Sequence, residues 1–236
     1  MQDISVGLVS SLPVIVVGPI GSGKSHLIHL IASLTRNRLI SYQLSCETDA
    51  ACLIGGYVQK SDGQFEWRAG PLAHAAQAGN WILLEDIDQA GGDCFPLVAQ
   101  LVERNVLSVA GHGRPIIPHP NFRLILTQRT SESGAKTNSL VSSLYTKCHF
   151  VQLANHNTES LREIVSAHFP DLPKVIQKIP VEILRCLQSM ERHQSRTLGV
   201  RECVTFAARL DKHNKGLSPK SFYKTFNFTY RFLIGF

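Results

Sequence analysis

Gly18-Pro19-Ile20-Gly21-Ser22-Gly23-Lys24-Ser25 fits the pattern GxxxxGK[ST], and its reading decides how the rest of the chain is understood. The apolar run Pro13 to Val17 precedes it and a helical pattern, Lys24 to Leu34, follows. Strand, glycine-rich loop and helix in that order form the setting in which such a loop holds phosphate. Glycines let backbone N–H groups turn inward toward an anion, and the following helix presents the positive end of its dipole to it. The bland alternative is a glycine-rich turn beside a surface lysine, and the flanking strand and helix count against it. Lys24 is expected to reach the β- and γ-phosphates of ATP, and the Ser25 hydroxyl to ligate Mg2+. Gly18, Pro19, Ile20, Gly21, Ser22 and Gly23 complete the expected cradle.

A phosphate loop needs carboxylates at the end of a neighbouring strand to hold magnesium and the attacking water. Trp81-Ile82-Leu83-Leu84-Glu85-Asp86 supplies them. Four apolar residues deliver Glu85 and Asp86 to the exposed C-terminal end, where open α/β sheets bind ligands. Helix capping is the alternative for Asp86 or Asp88 taken singly. Other chemistries lack their signatures. The only Asn-Lys pair, Asn214-Lys215, has no aspartate to read guanine, and the ten histidines form no HExxH. There is no GxSxG.

Through the first 150 residues, short apolar runs alternate with helical patterns, which argues for an α/β domain with a parallel sheet between helices. The expected strands are Pro13 to Val17, Leu39 to Leu44, Trp81 to Glu85, Phe122 to Thr127 and Cys148 to Leu153. The expected helices are Lys24 to Leu34, Leu72 to Ala78 and Phe95 to Arg104. Two excursions interrupt them: Ile54 to Gly70, rich in glycine and aromatics, and Val106 to Ile117, read as a β-hairpin. Beyond Asn155 the pattern is helical, with Asn157 or Thr158 as a cap and a later helix from Gly199 to Lys212. The expected domains are a large α/β subdomain over 1–154, a helical lid over 155–214 and an aromatic-rich tail over 215–236.

Composition bounds the partners. With 236 residues, 44% hydrophobic and 18% charged, the chain should fold around a real core. Its net charge of +6 comes from scattered Lys and Arg, so it reads as solvated surface, and no sequence-specific nucleic-acid binding is expected. The six cysteines form no CxxC pair and read as reduced thiols. Val6 to Ile20 imitates a signal-peptide core, but it has no basic leader and runs into the loop, so it reads as a buried strand. No apolar run reaches eighteen residues, so no membrane span is expected.

With these residues on the page, the chain resembles the AAA+ ATPases, and within them the dynein-like midasin family. The likeness runs from about Leu12 to Leu210. It is carried by Gly55-Gly56-Tyr57, by Phe65-Glu66-Trp67-Arg68-Ala69-Gly70-Pro71-Leu72, and by Gly79-Asn80 leading into the Trp81 strand and Ile87-Asp88. These look like the family's helix-2 insert and Walker B strand. Gly111-His112-Gly113 and Asn121-Phe122-Arg123 look like its pre-sensor hairpin and sensor-1 strand. The Glu-Asp order resembles the first of the family's six tandem modules.

The resemblance implies a module in a ring with other AAA+ modules, acting on pre-60S ribosomal particles in the nucleus. By the same likeness, Glu85 takes the magnesium-side place and Asp86 that of the catalytic base, while Arg129 stands where the family has a sensor asparagine. Leu144-Tyr145-Thr146-Lys147 offers no arginine finger. Arg201, in Gly199-Val200-Arg201-Glu202, resembles a sensor-2 arginine, with a surface arginine as the alternative. A base shortened by one methylene and two missing groups imply slow or absent hydrolysis. The other reading is a working ATPase of the related MoxR chaperone type. The abrupt aromatic end, Phe222 to Phe236, suggests a fragment of a longer protein.

Overall fold

The computed structural model describes residues 2–108, 115–130, 144–190 and 199–214. In chain order the first unit contains α1 (Gln2–Val9), β1 (Val14–Gly18), α2 (Lys24–Leu34), β2 (Leu39–Gln43), α3 (Ala50–Ile54), β3 (Gly55–Gln59), β4 (Phe65–Ala69), α4 (Pro71–Ala78), β5 (Trp81–Glu85), a 3-10 turn (Ile87–Gln89), α5 (Cys94–Arg104), β6 (Arg123–Arg129) and β7 (His149–Gln152). Five strands form one sheet in the order β2-β5-β6-β1-β7, every adjacent pair parallel. This is the expected α/β fold.

Period-two alternation explains why helices cover both faces. Ile15, Val17, Ile82, Leu84, Leu124 and Leu126 point into one core with Leu72, Ala76, Val98 and Leu101 of α4 and α5. Their neighbours Val14, Val16, Leu83 and Ile125 point the other way, against Ile4 and Leu8 of α1 and Ile28 and Ile31 of α2. β1 is buried along its whole length. β2, at an edge, stays partly exposed.

The stretch Val6 to Ile20 is not one strand. Ile4, Gly7 and Leu8 recur at helical spacing and are buried in α1, and the strand begins only at Val14. Pro13 marks the break: it has no N–H for a ladder, and its carbonyl accepts from His149 N–H at 2.7 Å.

The first excursion forms a separate two-stranded antiparallel sheet, β3 with β4, on which Tyr57 and Trp67 meet edge to face at 5.4 Å. Of the expected second hairpin, Leu107 and Ile116 exchange both backbone hydrogen bonds, at 2.9 and 2.8 Å. Its Gly111-His112-Gly113 centre lies outside the described residues, as do 131–143 and the aromatic-rich stretch 215–236.

Contacts group the chain up to Pro19 with Gly23–Leu153, and join Ile20–Ser22 to the chain from Ala154 onward. The second unit holds α6 (Thr158–His168), α7 (Lys174–Met190) and α8 (Val200–Asn214). Asn157 caps α6 by accepting from Ser160 N–H at 2.7 Å. Leu161, Val165, Val181, Leu184, Cys203 and Ala207 form its core. No helix among the described residues is long and apolar enough to cross a membrane.

Candidate nucleotide-binding site

Parallel strands end on the same edge of the sheet, and here that edge collects the polar groups. Gly18 at the end of β1 faces Arg129 at the end of β6, and Gln43 at the end of β2 faces Glu85 at the end of β5. β6 lies between β5 and β1, so Arg129 stands between the carboxylates and the start of the loop.

Gly23 takes φ 80°, ψ 17°, a left-handed conformation that favours glycine, and from there α2 begins at Lys24. A Cβ built on Gly23 would meet no described atom within 4 Å, so the space beside that residue is open. Lys24 is buried, and its Nζ donates to the Gly18 carbonyl at 2.8 Å and the Pro19 carbonyl at 2.7 Å. Burial pulls its pKa down, against the pull of Asp86, Asp88 and Glu85 and with that of Arg129. The Ser25 hydroxyl donates to Glu85 Oε2. Two hard oxygen donors thus meet beside a buried ammonium, a set whose chemistry suits Mg2+ carried by a polyphosphate.

Asp86 is held on every side. Its backbone sits at φ 58°, ψ 55°, a left-handed geometry that aspartate tolerates better than most residues. Its N–H donates to Thr127 Oγ1 at 3.0 Å, and its carbonyl accepts from Gln89 N–H at 2.8 Å. Arg129 Nη2 and Gln43 Nε2 both donate to its Oδ2, each at 2.5 Å. Burial raises the Asp86 pKa, but the hydrogen bonds from Arg129 and Gln43 outweigh it and leave the carboxyl below its ordinary range. The same hydrogen bond raises the pKa of Arg129.

Asp88 caps no helix. Its Oδ1 accepts the Arg129 backbone N–H at 3.1 Å, which ties the end of β6 to the 3-10 turn. Leu144 is in the core, and Tyr145 donates its hydroxyl to Gln128 Oε1 at 2.5 Å.

The loop residues Ile20, Gly21 and Ser22 group with the second unit, where the Ser22 carbonyl lies 3.2 Å from His156 Nε2. Arg201 is exposed in the first turn of α8. Sequence reading passed over Gln43, Thr127 and His156. For Gln43 one signal was present: a polar residue next to the end of the strand run Leu39 to Leu44.

Residues 13–148 match the family described as AAA domain (dynein-related subfamily). Midasin of Dictyostelium discoideum is 32% identical over 196 residues, which is 81% of this chain and 3% of that protein. The denitrification regulatory protein NirQ of Pseudomonas aeruginosa is 26% identical over 214 residues, 89% of this chain and 79% of NirQ. NtrX from Brucella abortus, solved in complex with ATP, shares the fold with a TM-score of 0.63 at 13% identity, covering 92% of this chain and 51% of NtrX. The chain thus spans only 3% of the length of the midasin that it matches. Phosphate-type loop, strand-end carboxylates and the match over residues 13–148 agree: this chain belongs to the dynein-related AAA family, as a midasin-like AAA+ module.

Proposed function

We propose that this chain is a MgATP-binding module of a midasin-like ring, one that holds nucleotide and hydrolyses it slowly or not at all. The observation that carries the reading is the Ser25 to Glu85 hydrogen bond, which brings two oxygen ligands together beside the buried Lys24. Lys24 would hold the β- and γ-phosphates, with the glycines of Gly18 to Gly23 turning N–H groups toward them. Ser25 and Glu85 would hold Mg2+, which when bound supplies positive charge against the phosphates. Arg129 and Arg201 are proposed as further nucleotide-facing groups, and Asp86 as the water-orienting acid. Midasin likeness supports a ring of AAA+ modules as partner, with pre-60S particles as the substrate and the nucleus as the compartment.

Equilibrium binding of ATP, with and without Mg2+, tests the core of this reading. The purified chain should bind ATP, more tightly with Mg2+, and Lys24→Ala should weaken that binding about hundredfold. Absence of ATP binding by the wild-type chain would sink the proposal.

NirQ supports a second reading, because the match spans most of that protein's length. In that reading the chain is a working ATPase of the MoxR type. Steady turnover that disappears in Asp86→Asn would favour it over the nucleotide-holding role.

A further inference from the structure

Hydrolysis of a bound triphosphate needs a carboxylate free to orient water. The water oxygen bonds to the terminal phosphorus as the bridging P–O bond breaks. The diphosphate leaves with that electron pair, and the protons of the water end on the released phosphate and solvent. Asp86 is the side chain at the right strand end, yet its Oδ2 already accepts from both Arg129 and Gln43.

We propose that Arg129 is a restraint on Asp86: paired with Gln43, it holds the carboxylate toward β2 and β6, and the chain hydrolyses slowly because of this clamp. The inference rests on the nucleotide-holding reading and assigns the slowness to two donors. It makes Arg129 and Gln43 positioning residues, acting through Asp86.

Three observations support a built restraint. Arg129 is fixed at its backbone, in register with Gly18 and tied by its N–H to Asp88 Oδ1, so its guanidinium starts from a set position. Gln43 is fixed by the register of β2 on β5, beside Glu85, and approaches the same oxygen from the other flanking strand. Asp86 is pinned at its N–H by Thr127 and at its carbonyl by Gln89, and its side chain has one methylene. With its backbone held at N–H and carbonyl, the carboxylate can leave only by turning about its own side-chain bonds, and both donors on Oδ2 oppose that turn. The carboxylate side chain is only 12% exposed, so water competes little for it.

The consequence is opposite to that of a lost sensor group: removing Arg129 speeds hydrolysis. At saturating MgATP, Arg129→Met should cleave the bound nucleotide about tenfold faster than the wild type in a single turnover, the order expected when a misplaced group regains its position. The gain should vanish in Arg129→Met with Asp86→Asn, because it works through that carboxylate. Without nucleotide, Arg129→Met should lower the melting temperature by roughly 2–4 °C, since a carboxylate loses its partner, and adding Asp86→Asn should recover part of it. Should Arg129→Met not fold, Gln43→Leu, which keeps the ion pair and removes the second donor, should speed cleavage by a few-fold.

Wild-type binding of MgATP is measured first. If the wild-type chain binds none, the nucleotide-holding reading falls and this inference with it. If binding is retained and Arg129→Met, or Gln43→Leu in its place, cleaves no faster, the inference alone falls. A gain that survives Asp86→Asn overturns it equally.

Discussion

The Ser25 hydroxyl, in the first turn of α2, donates to the Glu85 carboxylate at the end of β5, although sixty positions separate them in the chain. β5 is not the neighbour of β1; β6 runs between them. The loop therefore leans across one strand to reach its acid, and the two residues meet only when the parallel order is in place. Glu85→Gln should keep the packing, since the side chain is isosteric, and lose the charge that favours a divalent cation. Titration calorimetry should show ATP affinity without Mg2+ close to wild type, and the added affinity from Mg2+ reduced about tenfold or more.

Lys24→Ala removes a buried ammonium that bridges two loop carbonyls, Gly18 and Pro19. Its loss takes two donors from the loop and, on the nucleotide-holding reading, the main cation from the phosphates. ATP affinity should fall about hundredfold, equivalent to roughly 2.7 kcal/mol, in a fluorescent-nucleotide displacement assay. A fall of less than threefold would mean that Lys24 does not face phosphate.

Asp86→Glu adds the methylene that the resemblance finds missing. The longer carboxylate should reach further past Gln43 and Arg129, and single-turnover cleavage should rise several-fold with ATP affinity unchanged. No gain would place the limit outside the length of that side chain, in its two donors or in the sensor and finger groups that the resemblance implies are missing.

What the sequence carried was local. The loop and the strand before it are one contiguous motif, and the Trp81 to Glu85 run is buried on both faces, so both were legible without knowing their neighbours. Gln43 was not, because its partner is fixed by register across the sheet rather than by spacing along the chain. The position of Arg129 could be read from the strand, but the direction of its guanidinium, onto Asp86, depends on where β5 lies beside β6. α1 was hidden for another reason. Its apolar residues run on into those of β1, and only packing against the sheet separates helix from strand.

Gly55 joins α3 to β3 at φ 110°, and a Cβ there would lie 2.1 Å from the Arg68 carbonyl oxygen and 2.5 Å from Gly70 N. Both are backbone atoms that cannot step aside. Gly55→Ala should therefore part β3 from β4 at their base and destabilise the chain by about 2 kcal/mol or more, seen as a melting temperature lower by several degrees. Gly56→Ala is the control: its Cβ would meet nothing described within 4 Å, and the melting temperature should stay nearly unchanged.

None of the six cysteines is in a disulfide, and burial separates them. Burial pushes the Cys148 thiol up to about 12 and, helped by Glu202, the Cys203 thiol up to about 11, from an ordinary value of 9.0. Below pH 9 both thiols are protonated folded and unfolded alike, and stability does not depend on them. Above it the unfolded chain ionises them while the folded chain does not, so stability falls as pH rises toward 11 and 12. Each thiol contributes a slope of about 1.4 kcal/mol per pH unit within its window. Urea unfolding under reducing conditions, at pH 8 and pH 10, should show a larger loss in the wild type than in a Cys148→Ala, Cys203→Ala double variant. Equal losses would mean that the folded chain leaves these thiols as free to ionise as the unfolded one. Alkylation with iodoacetamide at pH 8 should report the effect of burial by rate: Cys46, Cys52 and Cys186, which are exposed, react first, and buried Cys94 and Cys203 react last.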